Sequence, residues 1–261
     1  MIKALWVAKT GLDAQQTRMS VISNNLANVN TTGSKRGRAS FEDLLYQQER
    51  QAGGATSQQT QLPSGLQVGT GVRVVSTQKN FQQGNLLQTG NALDVAINGR
   101  GFYEIQMPDG TSAYTRDGSF QVNAQGELVT NAGYRVQPGL QIPDGAQSLS
   151  IGTDGTITAQ MAGEAQPVEI GSLTLADFVN PAGLQAKGEN LFLETGASGP
   201  AQTGTPGLSG LGTVQQGSLE GSNVNVVEEL VGMIETQRAY EMNAKAISST
   251  DQMLGYLNNN V

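Results

Sequence analysis

A seven-residue apolar repeat at each end of the chain constrains its fold more than any other feature. The N-terminal repeat consists of Leu5, Leu12, Met19 and Leu26, with Ile22 between the last two. The C-terminal repeat runs without a break through Val226, Met233, Tyr240, Ile247, Leu254 and Val261. Positions seven apart fall on one narrow face of an α-helix, as in coiled coils. The sequence therefore predicts one helix over about residues 2–29 and another over about 226–257, with similar lengths that suit lateral pairing.

Polar residues mark where these two helices begin and end. Asn225 can cap the second helix, and Glu228, three residues later, can complete a capping box. At the end of the first helix, Asn28 and Asn30 are followed by Thr31-Thr32-Gly33, which predicts a helix stop.

The end of the first helix also holds a cluster of asparagines, a residue type that competes for the backbone's own hydrogen bonds. Its members are Asn24, Asn25, Asn28 and Asn30. In a bundle packed on all sides, asparagine amides can bond laterally to neighbouring helices and fix their register. We therefore interpret Asn24, Asn25 and Asn28 as part of an assembly interface.

Each predicted helix has too narrow an apolar stripe to be stable alone. Burying such side chains contributes about 1.5–3 kcal/mol each, which barely offsets the entropy of ordering about sixty residues. The helices therefore need further neighbours, which copies of the same chain can supply. The seam residues predicted for this interface are Leu5, Leu12, Met19, Ile22, Leu26, Val226, Met233, Tyr240, Ile247 and Leu254.

The two ends of the chain carry opposite charge. Residues 1–40 hold six cations and one anion, whereas residues 219–261 hold six anions and two cations. The helices should therefore attract each other. The whole chain has a net charge of -7, and its basic end is a thin patch, so nucleic-acid and membrane-surface binding are both disfavoured.

The middle of the chain, from Gly71 to about Val214, predicts an antiparallel β domain. Short β-type runs such as GFYEIQM and TSAYTR alternate with turn signals such as Pro108-Asp109-Gly110 and Asp144-Gly145. Two biased stretches flank it, residues 46–65 and 196–217, and their composition is typical of flexible linkers.

The fold class that follows is α+β, with terminal helices that pair as a coiled-coil-like domain around an inserted, mainly antiparallel β domain. The predicted organisation is an N-terminal helix within residues 1–35, a connecting segment over 36–70, a β-rich domain over 71–215 and a C-terminal helix within 216–261.

Composition and motifs disfavour enzymatic chemistry. Cysteine and histidine are absent, which removes thiolate and imidazole nucleophiles and most zinc sites. No catalytic motif or calcium loop is present, so the sequence predicts no catalytic residue, cofactor or metal. Carboxylate pairs, Asp94 with Glu104 or Asp109 with Asp117, would suit a glycosidase, but surface acids explain them better. Neither a secretory signal nor a membrane-spanning stretch is predicted.

Three long motifs, in order, resemble one known family. They are NNLANVNTTGSKRGRASFEDLLYQ, then INGRGFYEI with YTRDGSFQVNAQGELVTNAGYRV, and finally QGSLEGSNVNVVEELVGMIETQRAYEMNAKAISSTDQMLGYLNN. Together they are similar to the axial proteins of the bacterial flagellum, the rod proteins of its basal body above all. The likeness covers nearly the whole chain and is strongest to the distal-rod members.

The resemblance implies a non-enzymatic subunit of an open helical tube, with paired terminal helices inside and a β-rich domain outside. Its implied partners are further copies of itself, proximal rod proteins, the hook protein, surrounding ring proteins and the type III export apparatus. The implied location is the basal body, across the periplasm, reached without a cleaved signal peptide. Segment 46–65 resembles an insertion associated with a straight, stiff rod, represented by Tyr46, Gln47, Gln48, Glu49, Arg50 and Pro63.

Three alternatives stay open at this point. A β-rich carbohydrate enzyme would be active as a monomer without its terminal helices. A closed trimeric coiled-coil tether would form a discrete species instead of a polymer. Within the family, a proximal-rod or hook-like subunit is the nearest alternative, and segment 46–65 is the main ground against it.

Overall fold

The computed structural model describes residues 2–52, 55–57, 60–61, 63–143, 145–163 and 166–259. Val261 of the C-terminal repeat and Asp144 of one predicted turn lie outside these residues, as do five positions of segment 46–65.

Two long α-helices form at the ends of the chain, as the apolar repeats predict. They are α1, Ile2–Ala27, and α2, Val226–Asn259. The Oδ1 atom of Asn225 accepts a hydrogen bond from the Val227 amide at 3.1 Å, which confirms the predicted cap. After α1, the Thr31 amide donates to the Asn28 carbonyl at 3.2 Å, which closes a turn at the predicted stop.

The described residues between the helices form short strands and one 3₁₀ helix, Pro181–Gly183. The first strands are β1 Gly37–Asp43, β2 Tyr46–Arg50, β3 Ala55–Ser57, β4 Thr60–Gln61, β5 Leu66–Gly69 and β6 Val72–Lys79. The next are β7 Leu86–Gln88, β8 Val95–Asn98, β9 Phe102–Gln106, β10 Ser112–Thr115, β11 Phe120–Val122, β12 Leu128–Thr130, β13 Arg135–Val136, β14 Ala146–Ile151 and β15 Thr156–Met161. The last are β16 Val168–Ser172, β17 Leu175–Asp177, β18 Gln185–Gly188, β19 Leu191–Leu193, β20 Gln202–Gly204, β21 Thr213–Gln216 and β22 Ser218–Glu220.

The chain divides into two compact units. Unit 1 comprises residues 1–26, 37–78 and 225–261, and so contains both helices. Among its described strands, β1 pairs with β6, and two antiparallel pairs join β2 to β5 and β3 to β4. Residues 72–78, which the sequence assigns to the β domain, lie in unit 1 because they pair with β1.

Unit 2 comprises residues 27–36 and 79–224 and contains the predicted antiparallel β domain. Its largest sheet runs in the order β11-β12-β13-β9-β10-β19-β18, with β17 and β20 joined through β9. A separate sheet has the order β14-β15-β16, and two further pairs join β8 to β21 and β7 to β22. Aliphatic side chains such as Ile97, Ile105 and Leu175 are fully buried in its core.

The linker interpretation of segments 46–65 and 196–217 is wrong where the structure describes strands in them. Within the first segment, β2 pairs with β5, and Gln47 lies opposite Val68. Within the second, β20 pairs with β17 and β21 pairs with β8. Composition failed here because each polar strand receives its hydrogen bonds from a partner far away in the sequence, which local patterning does not show.

The helices of the described chain are not membrane spans, since neither has a stretch that is both long and apolar enough to cross a bilayer.

Candidate assembly interface

The two helices of unit 1 pair side by side and run antiparallel. A Cβ built on Gly232 would lie 3.5 Å from Ile22 Cδ1, and one built on Gly11 would lie 3.1 Å from Asn243 Nδ2. Between these contacts, Arg18 Nη2 lies 3.6 Å from Glu235 Oε2, a salt bridge of the sign that the charge asymmetry predicts. The residue numbers on α2 rise as those on α1 fall, so the helices are antiparallel.

The face that α2 turns toward α1 is mostly polar. Glu229, Thr236 and Thr250 are at most 9% exposed and, with the half-buried Asn243, recur every seven residues. The Thr236 hydroxyl donates to the Gly232 carbonyl at 2.6 Å, which satisfies the hydroxyl within its own helix. Within one chain, the face of α2 that meets α1 therefore repeats every seven residues, on a series other than the apolar C-terminal repeat.

The apolar C-terminal repeat lies at the edge of this face. Met233, Ile247 and Leu254 are half-buried, whereas Val226 is 38% exposed and Tyr240 is 45% exposed. Apolar patterning identifies the most hydrophobic series of residues on a helix. Threonine methyl groups and glycine can pack just as closely, so the face of α2 that contacts α1 is centred on a more polar series. On α1 the repeat faces inward more fully, since Ile22 is buried and Leu5, Leu12, Met19 and Leu26 are half-buried.

Asn25 makes its bonds within its own chain. Its Oδ1 atom accepts from the Gly37 amide at 2.7 Å. Its Nδ2 atom donates to the Gly37 carbonyl at 2.9 Å and to Glu229 Oε2 at 3.2 Å. The residue is 4% exposed, so it joins α1, β1 and α2 of one chain, a role that the asparagine interpretation did not anticipate. Asn24 is exposed and Asn28 is half-buried.

The opposite face of α2 is apolar and exposed. Val227, Leu230, Val231 and Ile234 are 42–69% exposed and lie within two turns, about 180° from the residues that meet α1. We call these four residues the outer strip. Sequence patterning did not single it out because it is short and ends at Arg238.

A shallow groove lies at the start of α1. It is lined by Lys3, Trp6, Val7, Gln47, Val68, Gly69 and Thr70, with a volume of about 290 Å³. Trp6 is 56% exposed, and the Lys9 ammonium lies 5.5 Å from its ring centroid. We call this surface the Trp6 groove. Gln47 and the other named residues of the proposed insertion, Tyr46, Gln48, Glu49, Arg50 and Pro63, are all exposed.

Unit 2 contains a buried ionic cluster that the sequence analysis missed. Lys35 Nζ lies 2.6 Å from Glu220 Oε1, and Arg116 Nε lies 2.7 Å from Glu220 Oε2. The Gly84 amide also donates to Glu220 Oε1, at 2.8 Å. Lys35 and Glu220 lie 185 positions apart, so no local pattern signals their pairing.

Burial and charge act in opposite directions on this cluster. Desolvation lowers the pKa of Lys35 below its ordinary value, against the attraction of Glu220. Burial raises the pKa of Glu220, but the charges and hydrogen bonds of Arg116 and Lys35 outweigh it, so that pKa is lowered overall. Glu220 is therefore an ionised carboxylate held between two cations.

Two of the four carboxylates considered for glycosidase chemistry, Asp109 and Asp117, serve turns instead. Asp109 Oδ1 accepts hydrogen bonds from the amide and the hydroxyl of Thr111, and these bonds lower its pKa. Asp117 Oδ1 likewise accepts from the amide and hydroxyl of Ser119. Across the described ranges, no three acidic side chains come together in a way that would hold a metal ion.

Models of three flagellar protein families match separate parts of the chain. The family described as flagella basal body rod protein matches residues 5–35, which include most of α1. The flagellar hook protein FlgE/F/G D1 domain matches residues 96–159, and the flagellar basal body rod FlgEFG protein C-terminal family matches residues 215–260. The matches thus cover most of α1, all of α2 and part of unit 2.

Full-length relatives extend these matches. A flagellar basal-body rod protein FlgG from Buchnera aphidicola subsp. Schizaphis graminum is 59% identical over 254 residues, which is 97% of this chain and 98% of the relative. The protein of the same name from Borreliella burgdorferi is 48% identical over 99% of this chain and 98% of its own length. The one from Bacillus subtilis is 37% identical over 99% of each. With such identity along nearly its whole length, this chain belongs to the family of flagellar basal-body rod proteins.

Proposed function

We propose that this chain is a structural subunit that polymerises helically into the distal rod of the bacterial flagellar basal body, and that it has no enzymatic activity. The observation that carries the proposal is the helix pair of unit 1. The face of α2 that contacts α1 is lined by polar and small residues, whereas the outer strip of α2 is apolar and 42–69% exposed. Exposed apolar surface of this kind is typical of a protein interface.

The predicted seam belongs to this proposal as a set of assembly residues. Leu5, Leu12 and Met19 line one side of α1, half-buried, so further helices can pack over them. The proposed interface also includes Asn24, which is exposed, and Asn28, which is half-buried just after α1. A helical polymer arises when one subunit contacts the next through two different surfaces and the contact does not close into a ring.

The proposed partners follow from the family. Proximal rod proteins and the hook protein would contact the two ends of the tube, and ring proteins would surround it. Export through the type III apparatus and a position across the periplasm belong to the same proposal. The names of the relatives support a basal-body location for this chain.

The proposal is tested by measuring self-association of the purified full-length chain. We expect sedimentation velocity to show species that grow continuously with concentration, and electron microscopy to show straight tubes. A single species of three subunits at every concentration would favour the closed coiled-coil alternative. Curved tubes would favour a hook-like subunit, and a chain that stays monomeric throughout would contradict polymerisation.

A further inference from the structure

Unit 1 presents two apolar surfaces that its described residues leave exposed. The outer strip is convex, because it is one face of a helix, and its centre is Val231 and Ile234, each 51% exposed. The Trp6 groove is concave, and its apolar walls are Trp6, Val7 and Val68, which are 37–56% exposed.

The strip and groove of one chain cannot meet each other. Antiparallel pairing places the strip beside the C-terminal half of α1, since Gly232 packs near Ile22. Trp6 lies at the other end of α1, and sixteen residues of helix separate it from Ile22, which is roughly 24 Å at about 1.5 Å per residue. The strip also faces away from α1. Each surface therefore needs a second molecule.

The charges around the two surfaces are complementary. The exposed anions of α2 that precede its first cation, Arg238, are Glu228 and Glu235. The start of α1 instead carries Lys3 and Lys9 before its first anion, Asp13. Opposite potentials steer association and favour one register of contact over others.

We propose that the outer strip of α2 in one copy docks into the Trp6 groove of a second copy. The inference rests on the proposed function and names the pair of surfaces that drives it. The contact is heterologous, and its two halves are displaced along the helix pair, so each added copy offers a fresh strip and a fresh groove. Repetition of the contact extends an open stack.

Cysteine cross-linking tests the contact directly, because the chain has no native cysteine. Val68→Cys places a thiol in the groove, and Ile234→Cys places one in the strip. When the two variants are mixed under polymerising conditions and treated with a short bismaleimide, we expect a covalent dimer that neither variant forms alone. The matched control is Gln252→Cys, which lies on the same face of α2 roughly 27 Å further along.

The single tryptophan gives a second readout that needs no variant. Since Trp6 lines the groove, docking should shift its emission to shorter wavelength and reduce acrylamide quenching several-fold as the polymer grows. Val231→Asp should abolish both changes. If Trp6 is already protected in dilute monomer, a different occupant fills the groove and the proposal is overturned.

The outcomes separate this proposal from the function on which it rests. Tubes that form with Trp6 still fully quenchable and no strip-to-groove dimer would overturn the docking contact and leave the rod function standing. Absence of any polymer from the unmodified chain would overturn both.

Discussion

At the scale of single residues, Glu220 is the anion that neutralises the two buried cations of unit 2's ionic cluster. Its two carboxylate oxygens bind Lys35 and Arg116, and its backbone carbonyl accepts from the Gly33 amide at 2.8 Å. Gly33 has φ +67, and a Cβ there would lie 2.7 Å from the Asp117 amide nitrogen, so this approach requires glycine. The cluster thus holds residues 33–35 and 220 against the β domain.

Removing the central charge should destabilise unit 2 strongly. Glu220→Gln leaves Lys35 and Arg116 buried without their anion, and breaking a buried pair in this way costs about 3–5 kcal/mol. Urea unfolding, followed by near-ultraviolet circular dichroism of the buried tyrosines of unit 2, measures the loss. The control is Glu42→Gln, because Glu42 pairs with Arg73 at the surface, where side-chain exposures are 55% and 63%. The control should change the free energy of unfolding by less than about 0.5 kcal/mol.

The same carboxylate predicts a pH dependence. The pKa of Glu220 is lower in the folded state than its ordinary value of 4.5. Above pH 4.5 the group is ionised in both states, so its contribution to stability is fully present. As pH falls from there through the folded pKa, the unfolded state takes up the proton first and the contribution is lost. In this pH range, the melting temperature of unit 2 should depend less steeply on pH in Glu220→Gln than in the unmodified chain. Equal slopes of melting temperature against pH would show that Glu220 does not cause this dependence.

At the scale of elements, Gly232 sets how closely α2 approaches α1. A methyl group at this position would make an ordinary contact of 3.5 Å with Ile22, and alanine favours a helix by about 1 kcal/mol over glycine. Gly232→Ala should therefore stabilise unit 1 by up to about 1 kcal/mol, whereas Gly232→Leu should destabilise it by about 1–3 kcal/mol through overpacking. Thermal unfolding measured by far-ultraviolet circular dichroism tests both.

Gly255 provides the matched control on the same helix, since nothing lies within 4 Å of a Cβ built there. Both Gly255→Ala and Gly255→Leu should be tolerated. If leucine is tolerated equally well at the two positions, Gly232 does not lie in the helix interface.

The elements show which parts of this fold a sequence can specify. Helix bounds were predictable because each signal, the apolar repeat, the Asn225 cap and the stop after Asn28, acts between residues that are close in the sequence. The strand runs of unit 2 were predictable for the same reason, since turn residues such as Asp109 and Asp117 bond two positions onward.

What the sequence left open depends on partners that are distant along the chain. Strand β2 is polar and becomes a strand only through β5, and Lys35 is buried only because Glu220 reaches it. The face that joins the two helices within one chain was also not foreseen. Its centre is Thr236, which is 0% exposed, whereas Tyr240 of the apolar repeat is 45% exposed. Periodicity fixes the spacing of a face, whereas shape and hydrogen bonding fix its centre.

At the scale of the whole molecule, the two units differ in how they are held together. Unit 2 has a continuous hydrophobic core around Ile97, Ile105 and Leu175, and a second cluster in which Phe178 and Phe192 each pack edge to face on Phe102. In unit 1 the fully buried positions of α2 are polar, such as Glu229 and Thr236. Unit 1 is therefore the unit whose stability should gain most from neighbouring copies.

Leu12→Asp tests this difference between the units. Leu12 is half-buried on α1, next to Gly11, whose Cβ would approach Asn243. The helix pair buries little apolar surface, so its stability is easily lost. Burying a carboxylate there without a partner costs several kcal/mol. We expect the variant to form no tubes in electron microscopy, while the near-ultraviolet signal and urea midpoint of unit 2 stay unchanged. The control Leu12→Met conserves volume and should still polymerise. If Leu12→Asp forms tubes of ordinary length, α1 is not part of the assembly surface. A lowered urea midpoint of unit 2 would show that the units do not fold independently.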